Sequence, residues 1–206
     1  MNKNTVSIMS LVAGILTAVV ALFCLICGIM NLTNFNGDAG AKYNIYVAIA
    51  AILLFAETAL LGIFSFFIIK GYVNKTDNAK YMPVPALIYF CHGVLSNFIG
   101  MIFTGFNNGT AWVFLILSLA GAILILLTMV AKLEKVVNGV LVLIAMGLGF
   151  VLSIIALVNT GGIGIALNLF IMFMFIAFFL YYLFDMIVDG TFAQKNTTES
   201  AEAKEE

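Results

Sequence analysis

The stretch ILLFAETALLGIF, residues 52–64, contains one acidic residue, Glu57, inside an otherwise apolar run. It belongs to a longer run, residues 44–70, whose only other charge is the terminal Lys70. A helix of about 20 mainly apolar residues is long enough to cross the hydrocarbon core of a bilayer. The run therefore predicts a transmembrane helix that carries an acid near its midpoint.

Five further runs of the same kind make up most of the chain. The 206 residues are 64% hydrophobic and 9% charged, whereas soluble domains have about 25% charged residues. We predict an all-α integral membrane protein with a transmembrane domain over residues 1–190 and a disordered polar cytoplasmic tail over residues 191–206. The first run is too long for a signal-peptide core, so we expect it to be retained. The predicted helices lie near residues 6–31, 44–70, 84–106, 111–131, 137–159 and 162–188.

The lysines predict the orientation. All nine basic residues are Lys, and eight of them fall on one side when the N-terminus is inside, with Lys42 alone outside. Basic residues concentrate in cytoplasmic loops, so we expect three consecutive hairpins with both termini cytoplasmic. The lack of Arg indicates an AT-rich genome, and we expect a multi-pass protein of a bacterial plasma membrane. A net charge of −1 without a basic patch argues against nucleic acid as a partner.

Small residues form stripes on the odd-numbered helices. In lipid, such residues let helices approach closely, because burial of apolar surface does not drive helices together there. We predict that helices 1, 3 and 5 pack through these stripes, with a membrane protein partner or a second copy as the alternative occupant. The aromatic series FIMFMFIAFFLYYLF of helix 6 is a further candidate surface for lipid or a partner. The stripe residues are Gly14, Ala21, Gly28, Gly93, Gly100, Ala145, Gly149 and Ser153.

Glu57 is the first candidate for a functional residue. A charged acid at the bilayer centre costs about 2.5–3.5 kcal/mol on insertion scales, so Glu57 has to be protonated, paired or in contact with water. The small residues Ala59 and Gly62 point in other directions from the same helix. We therefore expect Glu57 to lie off the close-packed side of helix 2, which would leave room for water or a solute.

The single histidine lies at a similar depth on the next helix. His92 is about eight residues into helix 3, roughly 12 Å from its cytoplasmic end. A Glu57–His92 pair between these antiparallel helices is geometrically easy, and Ser96 and Asn97 follow on helix 3. These four residues are our candidates for binding a ligand or relaying a proton. The alternative is that Glu57 and His92 only bond to each other and fix the helix register.

No recognisable catalytic pattern accompanies these residues. A zinc site needs three or four converging His, Cys or acidic ligands, and Cys24 and Cys27 are interpreted as packing residues inside a membrane helix. The sequence has neither a G-x-S-x-G elbow nor a phosphate-binding loop with its Lys. We therefore expect no enzymatic activity, no cofactor and no metal.

Two classes of function stay open. The first is binding or moving a small solute or ion through a membrane cavity near Glu57 and His92. The second is a non-catalytic scaffold or accessory subunit of a larger membrane protein complex. No helix is broken by Gly or Pro at mid-depth, a feature that often marks a transporter site, and the sequence identifies neither a solute nor a partner.

Overall fold

The computed structural model describes residues 3–34, 40–76 and 78–188. These residues form long helices joined by short connections and contain no strand. All six long helices have the length and apolar character needed to span a membrane. The prediction of an all-α protein with six membrane-length helices is confirmed. The helices are α1 (Lys3–Thr33), α2 (Ala41–Val73), α3 (Val84–Thr104), α4 (Gly109–Val130), α5 (Lys135–Asn159) and α6 (Ile163–Val188), with a 3-10 turn at Ala79–Tyr81.

The observed helix ends differ from the predicted ones by a few residues. Helices α1 and α2 extend beyond the predicted 6–31 and 44–70 at both ends. The polar residues that flank each apolar run are also helical, so the helix is longer than the run. Helix α3 ends before the predicted residue 106, where Gly105 has a φ of 95° that suits glycine. The predicted tail at 191–206 lies outside the described residues.

The helices form a closed ring with a packed interior. Each helix packs against its neighbours in sequence, and α6 also packs against α1. All six helices contribute side chains to one buried core. Phe90 of α3 and Phe175 of α6 meet inside the ring, with 5.7 Å between their ring centroids.

The small residues of α1 lie against α2. A Cβ atom placed on Gly14 would come within 2.9 Å of Ile68, and one on Gly28 would come within 2.8 Å of Phe55. Ala21, between them on the same stripe, is buried. The two helices therefore approach closely, and bulky side chains of α2 fill the space above the glycines of α1.

The stripes on α3 and α5 face the helix that follows each of them, with one exception. A Cβ on Gly93 would lie 2.5 Å from the Ser118 hydroxyl of α4, and one on Gly149 would collide with the Phe175 ring of α6. The prediction is wrong for Gly100, where an added Cβ would meet nothing within 4 Å. Gly93 and Gly149 are therefore covered by side chains of the same chain. The remaining stripe residues, Ala145 and Ser153, are fully buried.

Much of the aromatic series on α6 lies inside the bundle. Phe175, Phe178 and Tyr181 are buried, whereas Phe173 and Phe179 face outward. Phe175 turns inward where Gly149 of α5 leaves space for its ring. The surface left for a partner on this helix is therefore much smaller than the sequence indicates.

The outer surface of the ring is apolar. Large hydrophobic side chains on several helices are more than half exposed, and a soluble protein rarely shows contiguous apolar surface on this scale. A lipid bilayer is the environment that suits this surface. The exposed residues include Ile52, Phe66, Ile116 and Val158.

Candidate functional site

Glu57 lies at the middle of α2, on the side of the helix that packs against its neighbours. The expectation that Glu57 is offset from the packed side is wrong, because Ala59 is exposed and a Cβ on Gly62 would meet nothing. The face of α2 is chosen by its bulky residues, which fit the small residues of α1. The buried residues of α2 are Val47, Ala51, Glu57, Leu61, Ser65, Ile68 and Gly71.

Glu57 is paired with His92. The carboxyl oxygen Oε2 lies 3.0 Å from the imidazole Nδ1, and 4% of the Glu57 side chain and 22% of the His92 side chain are exposed. This distance is that of a hydrogen bond between a nitrogen and a carboxyl oxygen. The contact can form in two protonation states. Either an imidazolium donates to a carboxylate, or a carboxylic acid donates to a neutral imidazole, and the pair has no net charge in both cases. The pair joins α2 to α3 in the interior of the membrane span.

A third group reaches the same carboxyl from α1. The buried Cys24 thiol lies close enough to Glu57 to interact with its carboxyl group, and so do Cys27 and Tyr89. Cys24 belongs to the buried core, as predicted for a packing residue, and its position beside Glu57 was not predicted. One signal could have identified it: Cys24 follows Ala21 on the small-residue stripe of α1, and that stripe faces the helix that carries Glu57.

Ser96 and Asn97 make their hydrogen bonds within α3. The Ser96 hydroxyl and the Asn97 amide nitrogen both donate to the Gly93 carbonyl, at 3.4 Å and 2.7 Å. In the described part of the chain, no hydrogen bond joins either residue to Glu57 or His92. The site that the structure assembles therefore consists of Glu57, His92 and the Cys24 thiol.

Two cavities lie at one end of the bundle, away from this pair. Their volumes are about 400 and 1170 Å³, and neither is lined by Glu57 or His92. The first is bounded by the starts of α3 and α5 and the ends of α4 and α6. The second is bounded by the start of α1 and the ends of α2 and α6. The expected solute cavity beside the pair is therefore not one of these two.

The residues of this site can exchange protons. Glu57 and His92 can each hold a proton, and the contact between them lets a proton pass from one to the other. Among the described residues, no three His, Cys, Asp or Glu side chains are grouped so that they could hold a metal ion.

No known protein family, curated protein sequence or solved structure matches the chain.

Proposed function

We propose that the six helices are inserted in a bacterial plasma membrane as three consecutive hairpins with both termini cytoplasmic. Two observations support this arrangement. Glycines on each odd-numbered helix pack against the following helix, which is the contact a hairpin makes. The bundle end that holds both cavities also carries Lys75, Lys80 and Lys135, as expected of a cytoplasmic end.

We further propose that the protein moves a small solute or ion and that Glu57 and His92 bind and release the proton that drives the movement. The main support for this proposal is the 3.0 Å contact between these two titratable groups. A buried ion pair is often no more stabilising than well-packed apolar residues of the same size. An intramembrane ionisable pair is therefore better explained by function than by stability.

The pair couples protonation to helix packing. While Glu57 is bonded to His92, α2 and α3 are tied together, and α1 packs against them beside Cys24. A proton that enters the pair from outside gives it a net positive charge and weakens the attraction between α2 and α3. These helices then separate, and the solute passes along the space between them. The mechanism involves no covalent chemistry, so we propose that the protein is not an enzyme.

Proton flux into liposomes tests this proposal. Purified protein is reconstituted with a trapped pH-sensitive dye, the membrane potential is clamped, and a pH step is applied. We expect the wild type to speed equilibration, Glu57→Gln to abolish the effect and His92→Gln to reduce it. Glu134→Gln is the matched control, since Glu134 is an exposed acid just before α5. Equal flux in the wild type and Glu57→Gln would exclude proton handling by the pair.

A second candidate function is a non-catalytic scaffold or accessory subunit. One observation favours it: the buried Glu57 carboxyl already has a partner in His92. In that case the pair fixes the helix register and moves nothing. A scaffold would co-purify with a stoichiometric membrane protein partner, and Glu57→Gln would leave that complex intact and show no flux difference.

A further inference from the structure

The Glu57–His92 contact uses only one of the two imidazole nitrogens. Nδ1 of His92 lies 3.0 Å from Glu57 Oε2, and Nε2 makes no hydrogen bond within the part of the chain that the structure describes. Nε2 is not covered by the protein either, because among the described residues Asn138 Oδ1 is the one fully covered side-chain nitrogen or oxygen without a hydrogen-bond partner. The second imidazole nitrogen is therefore accessible to a ligand.

The protonation of the pair decides what Nε2 can bind. When an imidazolium donates from Nδ1 to a carboxylate, Nε2 carries the second proton. When a carboxylic acid donates to Nδ1, the neutral imidazole has its single proton on Nε2. Nε2 is thus a hydrogen-bond donor in both states, and its partner has to be an acceptor.

His92 borders the side of α3 that faces lipid. Cys91 and Leu95 are exposed and four residues apart, so they mark that side of the helix. His92 lies directly after Cys91, and 22% of its side chain is exposed. On α2, Leu60 lies one turn from Glu57 and is 43% exposed. The groove between α2 and α3 therefore opens towards the bilayer beside His92.

The depth of His92 restricts the source of the acceptor. His92 is about eight residues from the start of α3 at Val84, or roughly 12 Å along the helix. The polar groups of phospholipids lie outside the hydrocarbon core, and neither of the two cavities at the end of the bundle is lined by His92. An N–H group without a partner in hydrocarbon is costly. A molecule that dissolves in the hydrocarbon core is the source that fits this depth.

We infer that the groove between α2 and α3 binds a neutral, membrane-soluble carbonyl compound, whose oxygen accepts a hydrogen bond from His92 Nε2. An uncharged carbonyl avoids the cost of placing a charge at mid-depth, and Leu60 and Leu95 provide apolar contacts for the rest of the molecule. Quinones with an alkyl chain have this chemistry. The inference rests on the proposed function in that it names the class of the solute, whereas the binding itself requires no proton flux.

The nitrogen signals of the single histidine test the inference. Wild-type protein labelled with 15N histidine is reconstituted in liposomes and titrated with decylubiquinone, and the Nε2 signal is followed by solid-state NMR. We expect a saturable shift of this signal. Half-saturation should need at least about fivefold less decylubiquinone than dodecylbenzene, which has no acceptor, as for one hydrogen bond.

Three results of this titration would overturn the inference. The first is an Nε2 signal that decylubiquinone does not shift, and the second is an equal response to decylubiquinone and dodecylbenzene. The third is a response to a fatty acid without a response to decylubiquinone, because the ligand would then be an anion rather than a neutral carbonyl compound.

A bulkier side chain beside His92 tests the location of the ligand. Leu95→Trp narrows the groove and is expected to weaken decylubiquinone binding by at least about fivefold. Ile116→Trp is the matched control, since Ile116 is exposed to the same surroundings on α4, and it should bind as the wild type does. Unchanged binding in folded Leu95→Trp would contradict the assignment to this groove, and the wild-type titration decides the inference even if a variant fails to fold.

The proton-flux assay separates this inference from the proposed function. Flux that depends on Glu57, together with an Nε2 signal that does not respond to decylubiquinone, would overturn the inference and leave proton handling intact. A saturable Nε2 shift without flux that depends on Glu57 would support the binding site and contradict proton handling.

Discussion

A double-mutant cycle on Glu57 and His92 measures whether their contact is ionic. Removing one partner of a buried ion pair costs about 3–5 kcal/mol, because the other charge is left without compensation. Hydrogen bonds between neutral groups in membrane helices have coupling energies of about 0.6 kcal/mol and at most about 1.7 kcal/mol. With 4% and 22% of the two side chains exposed, solvent screens the pair weakly. We therefore expect a coupling energy above about 2 kcal/mol, outside the range of neutral pairs.

The cycle compares the wild type, Glu57→Gln, His92→Gln and the double variant. Their free energies of unfolding come from reversible denaturation in mixed micelles, followed by circular dichroism. A control cycle combines Glu57→Gln with Asn97→Ala, and it should be additive because, among the described residues, Asn97 bonds to the backbone of its own helix and not to Glu57. A Glu57–His92 coupling as small as that of the control cycle would refute the ionic interpretation of the pair.

Three further predictions concern packing, thiol access and orientation. Gly149→Ala should lower the free energy of unfolding by about 1–3 kcal/mol, because its Cβ collides with an aromatic ring of α6; Gly62→Ala, where the Cβ meets nothing, should raise it by up to about 1 kcal/mol. With the other two cysteines replaced by serine, Cys24 should react with N-ethylmaleimide only after denaturation, and rapid reaction of the folded protein would contradict its burial. Lys42→Cys should be labelled by an impermeant maleimide in intact cells and Lys132→Cys only after lysis; the opposite pattern would reverse the proposed orientation.

The number and depth of the helices could be predicted from the sequence, because both follow from counting apolar residues along the chain. An apolar run of about 20 residues has to span the bilayer whatever it packs against. The same counting placed Glu57 and His92 at similar depths on consecutive helices. In the structure their side chains meet at 3.0 Å.

The rotation of each helix about its axis could not be predicted in the same way. In a membrane protein, the side facing lipid is as apolar as the side facing the interior, so hydropathy gives little indication of the buried face. The small residues of α2, Ala59 and Gly62, indicated the wrong face. The face is set instead by the glycines of α1, which accept the bulky side chains of α2.

Two other differences between prediction and structure have the same physical origin. Gly100 was assigned to a packing stripe by its spacing, but α3 turns it towards open space. The rings of α6 were interpreted as an outer surface, but a glycine on α5 admits Phe175 to the interior. In both cases the outcome depends on the shape of the neighbouring helix, which the sequence of one helix does not contain.

The most direct test of the central claim uses the fact that the chain has one histidine. Protein labelled with 15N histidine and with 13C at the glutamate side-chain carboxyl is reconstituted in liposomes for solid-state NMR. We predict a strong dipolar contact between the imidazole Nδ1 and a glutamate carboxyl carbon, and we predict that Glu57→Gln removes it. The absence of this contact in the wild type, or its survival in Glu57→Gln, would show that Glu57 and His92 are not paired in the membrane.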